Sequence, residues 1–251
     1  MEANHTLNYY DVDKSSERMD NILNASNGNY AEKGSNIPER NSLTFTNGYY
    51  VNVAAIFIDI VGSSNMTDEH RRPTLAKIYR AFISECVAIL DSEIDCKEIC
   101  IHGDCVWGVF EKKHCESIDN VVSIAAKIIS MIKILNYKLL EKGYGKIKVG
   151  IGIDYGRALM IKAGYSGSKI NDVLWMGDVV NSACHLCKKA GRDGHCTIIV
   201  SPNVYNLLSN ENNKKKFNMH LDFKNPTMFF EEWYEGDISD ADMDEWYEEH
   251  C

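Results

Sequence analysis

Two aspartates stand where the chain changes direction and a carboxylate can face a ligand. Asp59 closes the apolar run that begins at Tyr49 and is followed by Ile60, Val61, Gly62, Ser63 and Ser64; Asp104 lies in His102-Gly103-Asp104, between two short apolar runs. Carboxylate oxygens are hard ligands, and two of them brought together can hold one or two small divalent cations. The glycine near each aspartate lets backbone approach a ligand closely. Gly62, Ser63 and Ser64, opening toward a helix, offer N–H groups and hydroxyls to an anion such as a triphosphate. Each aspartate alone has a plainer reading, Asp59 as a helix cap and Asp104 as a turn residue. The chemistry depends on whether the fold makes them neighbours.

The elements that would position them follow from hydrophobic periodicity. A strand runs from Tyr49 to Ile58, and a helix from about Pro73 to Leu90 repeats Leu75, Ile78, Tyr79, Phe82, Ile83, Cys86 and Ile89 at helical spacing. Lys97 to Ile101 and Cys105 to Phe110 read as a hairpin, and a second helix follows from about Ile118 to Leu140. Next come a strand over Ile147 to Ile153, a turn at Gly156 into Ala158 to Ile161, and a polar loop from Gly164 to Asp172. Leu174 to Gly177 then lead into a helix through Asn181 and His185 to Lys189, and Thr197 to Val200 and Val204 to Leu208 close the core. This order predicts an α/β (α+β) chain built as a ferredoxin-like βαββαβ sandwich, in which the first strand and the hairpin are spatial neighbours. Residues 1–42 read as a polar N-terminal arm with a weak helical patch at Met19, Ile22 and Leu23. Residues 43–210 read as the catalytic domain, and 211–251 as an acidic, aromatic extension without an assigned place.

The 251 residues, 45% apolar and 25% charged, suit one sizeable core. A formal net charge of -9 argues against a nucleic-acid partner held through its phosphates. A bound metal ion would reconcile an acidic protein with an anionic substrate. The longest apolar runs are too short to span a bilayer as a helix, so no membrane anchor is expected. Nine cysteines follow a polar start at Met1 with no secretory apolar segment, which favours a reducing, cytoplasmic setting over disulfides. Cys184 and Cys187 flank His185 like half a zinc site, but no second pair stands at a matching spacing.

Taken together, the motifs resemble the class III nucleotide cyclases. In that family a strand ending F-x-D-I-x-G and a hairpin G-D supply the two metal-binding carboxylates; both patterns stand here, at Asp59 and Asp104, and Ile60 falls where the family contributes a backbone carbonyl. Gly177-Asp178-Val179-Val180-Asn181-Ser182-Ala183 matches the family's G-x-x-V-N-x-A, so Asn181 would orient the ribose. Asp59-Ile60-Val61-Gly62-Ser63-Ser64, Ile78-Tyr79-Arg80, His102-Gly103-Asp104-Cys105 and Gly156-Arg157-Ala158-Leu159-Met160 look most like the pyrimidine cyclases of bacterial Pycsar antiphage systems. Those enzymes make cyclic UMP or cyclic CMP with manganese or magnesium and signal to a separate effector protein.

Departures from the purine-cyclase pattern point the same way. The family's Lys three residues before the hairpin Gly is Cys100 here, and the polar base-reading residue three before Gly177 is Leu174. Neither supplies a charged or amide contact to a purine edge. Tyr79 could fill the space a smaller base leaves, although its spacing is equally that of a core aromatic. The transition-state Arg one turn after the Asn is His185, which shares a helix face with Asn181 and carries charge only when protonated. Arg157 could supply part of the missing positive charge. The resemblance implies attack of the ribose 3′-hydroxyl on the α-phosphorus of UTP or CTP, two Mn2+ or Mg2+ ions per site, and loss of pyrophosphate. It also implies a head-to-tail homodimer with two composite sites, the metal carboxylates coming from one subunit and the Asn from the other. A purine cyclase and a catalytically silent nucleotide- or RNA-binding module on the same fold are the rival readings.

Overall fold

The computed structural model describes residues 9–66, 71–114, 116–166, 170–223 and 230–251. Helix α1 (Val12–Leu23) is capped by Asp11, whose carboxylate accepts from the Lys14 N–H at 3.1 Å; Met19, Ile22 and Leu23 are exposed on it. Strand β1 (Tyr30–Glu32) then runs parallel to the start of β2 (Gly48–Ile60). Helix α2 (Arg72–Asp91) carries Pro73 in its first turn, where a missing N–H costs nothing. Strands β3 (Cys96–His102) and β4 (Cys105–Glu111) form the expected hairpin, and α3 (Ser117–Glu141) leads to β5 (Val149–Gly164). The order β3-β4-β2-β5, with β2 antiparallel to both neighbours, is the ferredoxin-like arrangement.

The expected turn at Gly156 does not exist. β5 is one continuous strand whose register against β2 runs unbroken from Ile60↔Val149 to Gly48↔Ile161, with Gly156 opposite Val53. Thirteen residues of unbroken ladder on β2 outweigh the weak strand propensity of one glycine. The second half of β5 pairs with β6 (Asn171–Met176); of the loop foreseen from Gly164 to Asp172, Gly164, Asn171 and Asp172 are strand ends, Tyr165, Ser166 and Ile170 lie between the strands, and residues 167–169 are outside the described ones. Helix α4 (Asp178–Lys189) follows, then β7 (Ile198–Val200), α5 (Pro202–Leu207) and α6 (Glu211–Lys214).

The acidic tail is built into the sheet. Strand β9 (Phe230–Gly236) pairs with β7 and carries β8 (Asn218–Phe223) on its outer side. Helix α7 (Ala241–His250) is tied to α3 because Asp244 accepts from Ser130 Oγ at 2.7 Å and Lys133 Nζ at 2.6 Å. The segment before β2 is laced down as well. The Ile37 N–H donates to Glu111 at 2.9 Å, and Arg40 donates to Glu98 at 2.9 Å and to Asp172 at 2.7 Å. Among the described residues no helix is long and apolar enough to cross a membrane.

From Val53 to Ile58 β2 reads as an unbroken apolar run because both its faces are covered. Ala54, Ile56, Ile58 and Ile60 pack with Ile78, Phe82, Cys86 and Leu90 of α2 and with the apolar face of α3. Val51, Val53, Ala55 and Phe57 face the other way, into Trp107, Met160, Trp175 and the inner side of α4. Phe57 and Trp107 stack with centroids 4.9 Å apart.

Candidate active site

Side chains alternate along a strand, so Asp59 lies on the face of Phe57, toward α4. The β2–β4 ladder ends at Ile58↔Val106, which leaves Asp59 and Ile60 beside the hairpin residues Cys105 and Asp104. Gly103 takes φ 64°, which makes the tight turn that presents Asp104. The two carboxylates feel each other: burial, and then the negative charge of Asp104, push the Asp59 carboxyl above its usual value despite an Arg192 guanidinium alongside. Asp104 Oδ2 is buried and accepts no hydrogen bond. Tyr79 reaches the same place from α2, where it packs half-buried on the core; burial, then Asp104 and Asp59, push its hydroxyl up. An unpartnered buried carboxylate oxygen, a second crowded carboxylate and a nearby backbone carbonyl form a hard-cation donor set, and these residues fit a divalent metal.

Arg192 was not foreseen. Its guanidinium donates to Asp59 Oδ2 at 2.8 Å and to the Ile60 carbonyl at 3.4 Å, so it covers two of the three groups expected to ligate metal. It also donates to the carbonyls of Cys187 and Ala190 at 3.0 and 3.1 Å, satisfying the C-terminus of α4. A basic residue just past a helix, between Gly191 and Gly194, is a readable C-terminal cap signal. Its second partner, Asp59, lies 133 residues earlier and had no signal in the sequence.

Helix α4 sits unusually close to β5, and two glycines permit it. A Cβ on Gly152 would stand 2.2 Å from both the Ala183 carbonyl oxygen and the Cys187 nitrogen, and one on Gly150 would stand 2.4 Å from the Ala190 oxygen. Val179, Ala183, Leu186 and Cys187 form the buried side of the helix, leaving Asn181 and His185 exposed on its outer side, one turn apart. Cys187 donates its thiol to the Gly150 carbonyl at 3.1 Å, and burial raises its pKa well above the usual value. It is a packing residue, and the half zinc site at Cys184 and Cys187 gains no support.

The remaining candidates divide. Gly62, with φ 72°, and the single 3₁₀ turn Ser63–Asn65 follow directly on Asp59 and Ile60. Cys100, on β3, lies among Glu98, Asp172 and Arg40; burial, then Glu98 and Asp172, push its thiol up to about 11. Leu174 is exposed on β6. Arg157 does not reach Asp59 within its own chain. It stands opposite Asn52, seven residues along β2 from Asp59 and so about 23 Å away. It forms an ion pair with Glu32 and lies 3.6 Å over the Tyr50 ring. Arg40, bridging Glu98 and Asp172 around Cys100, is a charged neighbour of Cys100 that the arm assignment overlooked.

Residues 46–229 match the family model of the adenylate and guanylate cyclase catalytic domain. The chain belongs to this family. It is 40% identical to a uridylate cyclase of Gulbenkiania mobilis over 96% of this chain and 97% of the relative, and 34% identical to a uridylate cyclase of Treponema porcinum over 85% and 76%. The fold matches the crystal structure of the adenylyl cyclase CyaB from P. aeruginosa with a TM-score of 0.63 at 18% identity, covering 78% of this chain and 98% of that one. It also matches the guanylyl cyclase Cya2 at 0.64 and 12% identity, over 77% and 95%. This nucleotide cyclase therefore keeps the family sheet, with Asp59 at the end of β2 beside the hairpin that carries Asp104, and Asn181 and His185 exposed on the outer side of α4.

Proposed function

We propose that the chain converts UTP to cyclic UMP and pyrophosphate. The observation that carries this reading is the convergence of Asp59, the Ile60 carbonyl and the unpartnered Asp104 Oδ2 in a cyclase whose extensive relatives are named uridylate cyclases. Cys100 and Leu174 support a pyrimidine, because both replace polar groups that would read a purine edge.

Asp59, Asp104 and the Ile60 carbonyl would hold Mn2+ or Mg2+, two ions per site. Bound there, the ions supply charge neutralisation at the α-, β- and γ-phosphates and acidify the ribose 3′-hydroxyl. The chain's own part is positioning. Gly62, Ser63 and Ser64 receive the polyphosphate beside the carboxylates, and Tyr79 borders the same space. The 3′-oxygen forms its bond to the α-phosphorus as the bond to the β-phosphate oxygen breaks, and the hydroxyl proton passes to solvent. Asn181 orients the ribose, and His185 donates to a phosphate oxygen, most strongly when protonated. Asn181 and His185 point away from their own sheet, which supports a homodimer in which they complete the partner's site. Arg157 is too far from Asp59 to serve its own subunit's metals, so any role in charge stabilisation is across that interface. The cyclic nucleotide would then act on a separate effector in antiphage defence, as the resemblance to Pycsar cyclases implies.

Incubating the purified chain with an equimolar mixture of the four ribonucleoside triphosphates and Mn2+, and identifying products by mass, tests the reading. Cyclic UMP is expected to dominate. Equal or faster formation of cyclic AMP or cyclic GMP would overturn the pyrimidine assignment, and no cyclic product would overturn the activity.

A further inference from the structure

A second cluster of metal-type donors lies away from the carboxylates just described. His195 Nδ1 is 2.7 Å from Glu235 Oε2, and His220 Nε2 is 3.0 Å from Glu235 Oε1. The three ligand atoms all lie within 4.8 Å of one another. They come from three separate segments: the turn after α4, strand β8 and strand β9. We propose that His195, His220 and Glu235 form a structural site for a zinc-class divalent ion.

The local architecture aims all three at one point. On the β8–β9 pair, His220 stands opposite Trp233, and Glu235 follows Trp233 by two residues, so all three side chains share one face of the sheet. His195 reaches that face from a turn closed by its own N–H donating to the Arg192 carbonyl at 2.8 Å and by the Gly191 N–H donating to the Cys196 carbonyl at 2.9 Å. Trp233 acts as a platform. His220 stacks on it at 5.9 Å and 13°, His195 meets it edge-on at 5.7 Å, and its indole N–H donates to Glu235 Oε2 at 3.3 Å. A donor that fixes a ligating carboxylate is the outer-shell partner metal sites require.

The chemistry of the set selects the ion. Two imidazoles and one carboxylate are zinc donors, with metal–ligand bonds of about 2.0–2.1 Å and hence ligand separations of about 3.3 Å in a tetrahedron. The two histidine nitrogens lie 2.7 and 3.0 Å from different oxygens of Glu235, and with one ligand atom from each residue the set spans no more than 4.8 Å, so side-chain rotation of about an ångström brings all three to that separation. A neutral imidazole whose proton sits on the far nitrogen presents a lone pair to that point. The Glu235 side chain is only 6% exposed, a charge costly to bury unless a cation or strong donors face it. Two imidazoles disfavour Mg2+ and Ca2+, so this site and the oxygen-rich carboxylate site would sort different metals. The ion would clamp the C-terminal hairpin to the turn that also carries Arg192.

The full chain, stripped with chelator, incubated with Zn2+ and desalted, is expected to retain one zinc per chain by elemental analysis and to melt at a higher temperature than the stripped form. The double variant His195→Ala/His220→Ala should retain none and melt alike with and without zinc. His220→Gln, a mild change at a partly exposed strand position, guards against misfolding; checked as folded by circular dichroism, it should also lose the zinc. Asp104→Asn should keep it, which separates this site from the catalytic one. Wild-type protein without zinc, equal retention in folded His220→Gln, or thiolate charge-transfer bands on Co2+ substitution would each overturn the assignment.

Discussion

Replacing Gly152 with alanine tests whether the close seat of α4 on β5 builds the catalytic geometry. A Cβ at that position would lie 2.2 Å from two backbone atoms of α4, where ordinary contact begins at 3.4 Å. Both obstacles are main chain, so no rotamer change relieves them, and the helix has to back away from the sheet by about 1 Å. Overpacking of this kind costs about 2–3 kcal/mol, which for a chain of this size lowers the melting temperature by roughly 4–12 °C. The same movement displaces Asn181 and His185, and a misplacement of about 1 Å is worth on the order of 100-fold in rate. Gly156→Ala is the matched control on the same strand: its Cβ would meet Val179 at 3.5 Å, an ordinary contact. Thermal denaturation and cyclic-nucleotide production, measured on both variants, decide the matter. If Gly152→Ala melts and turns over like Gly156→Ala, α4 is not positioned by this approach and the reasoning fails.

Asp104→Asn should abolish turnover and Mn2+ binding by calorimetry, yet melt no lower than wild type in metal-free buffer, because it removes the charge that, after burial, raises the Asp59 pKa; a lower melting temperature would show that the carboxylate is structural. Arg192→Gln frees Asp59 from a charged hydrogen bond of about 1.5–3 kcal/mol, so nucleotide-free Mn2+ affinity should rise by roughly 10- to 100-fold; unchanged or weaker binding in the folded variant refutes the competition. Mixing inactive Asp59→Ala with inactive Asn181→Ala should restore about a quarter of wild-type activity, since random exchange gives about half heterodimers with one intact site each; a dead, fully exchanged mixture rules out shared sites. Burial alone would raise the Asp244 carboxyl, but hydrogen bonds from Lys133, Ser130 and Ser239 together hold it below its usual value. A depressed folded-state pKa stabilises fully above the unfolded value and is lost as pH falls through the folded one. The melting deficit of Asp244→Asn should therefore be present at neutral pH and shrink below about pH 4; a deficit that does not change with pH refutes the pairing.

The elements nearest the chemistry were legible in the sequence because local pattern and local structure agree there. The apolar run into Asp59, the two amphipathic helices and the glycine turn at Asp104 each occupy one continuous segment, and their order suffices for the ferredoxin-like topology. Gly156 misled because a glycine in a strand and a glycine in a turn look alike until the partner strand is known, and the thirteen-residue ladder to β2 settles it. The acidic tail had no readable place because β8 and β9 take their register from β7. Only the tertiary structure could seat Arg192 on Asp59, bridge Glu98 and Asp172 with Arg40, pair Arg157 with Glu32 far from Asp59 and gather His195, His220 and Glu235. In each case the partners come from distant segments, and a sequence records which donors and acceptors exist but not which of them the chain brings within about 3 Å.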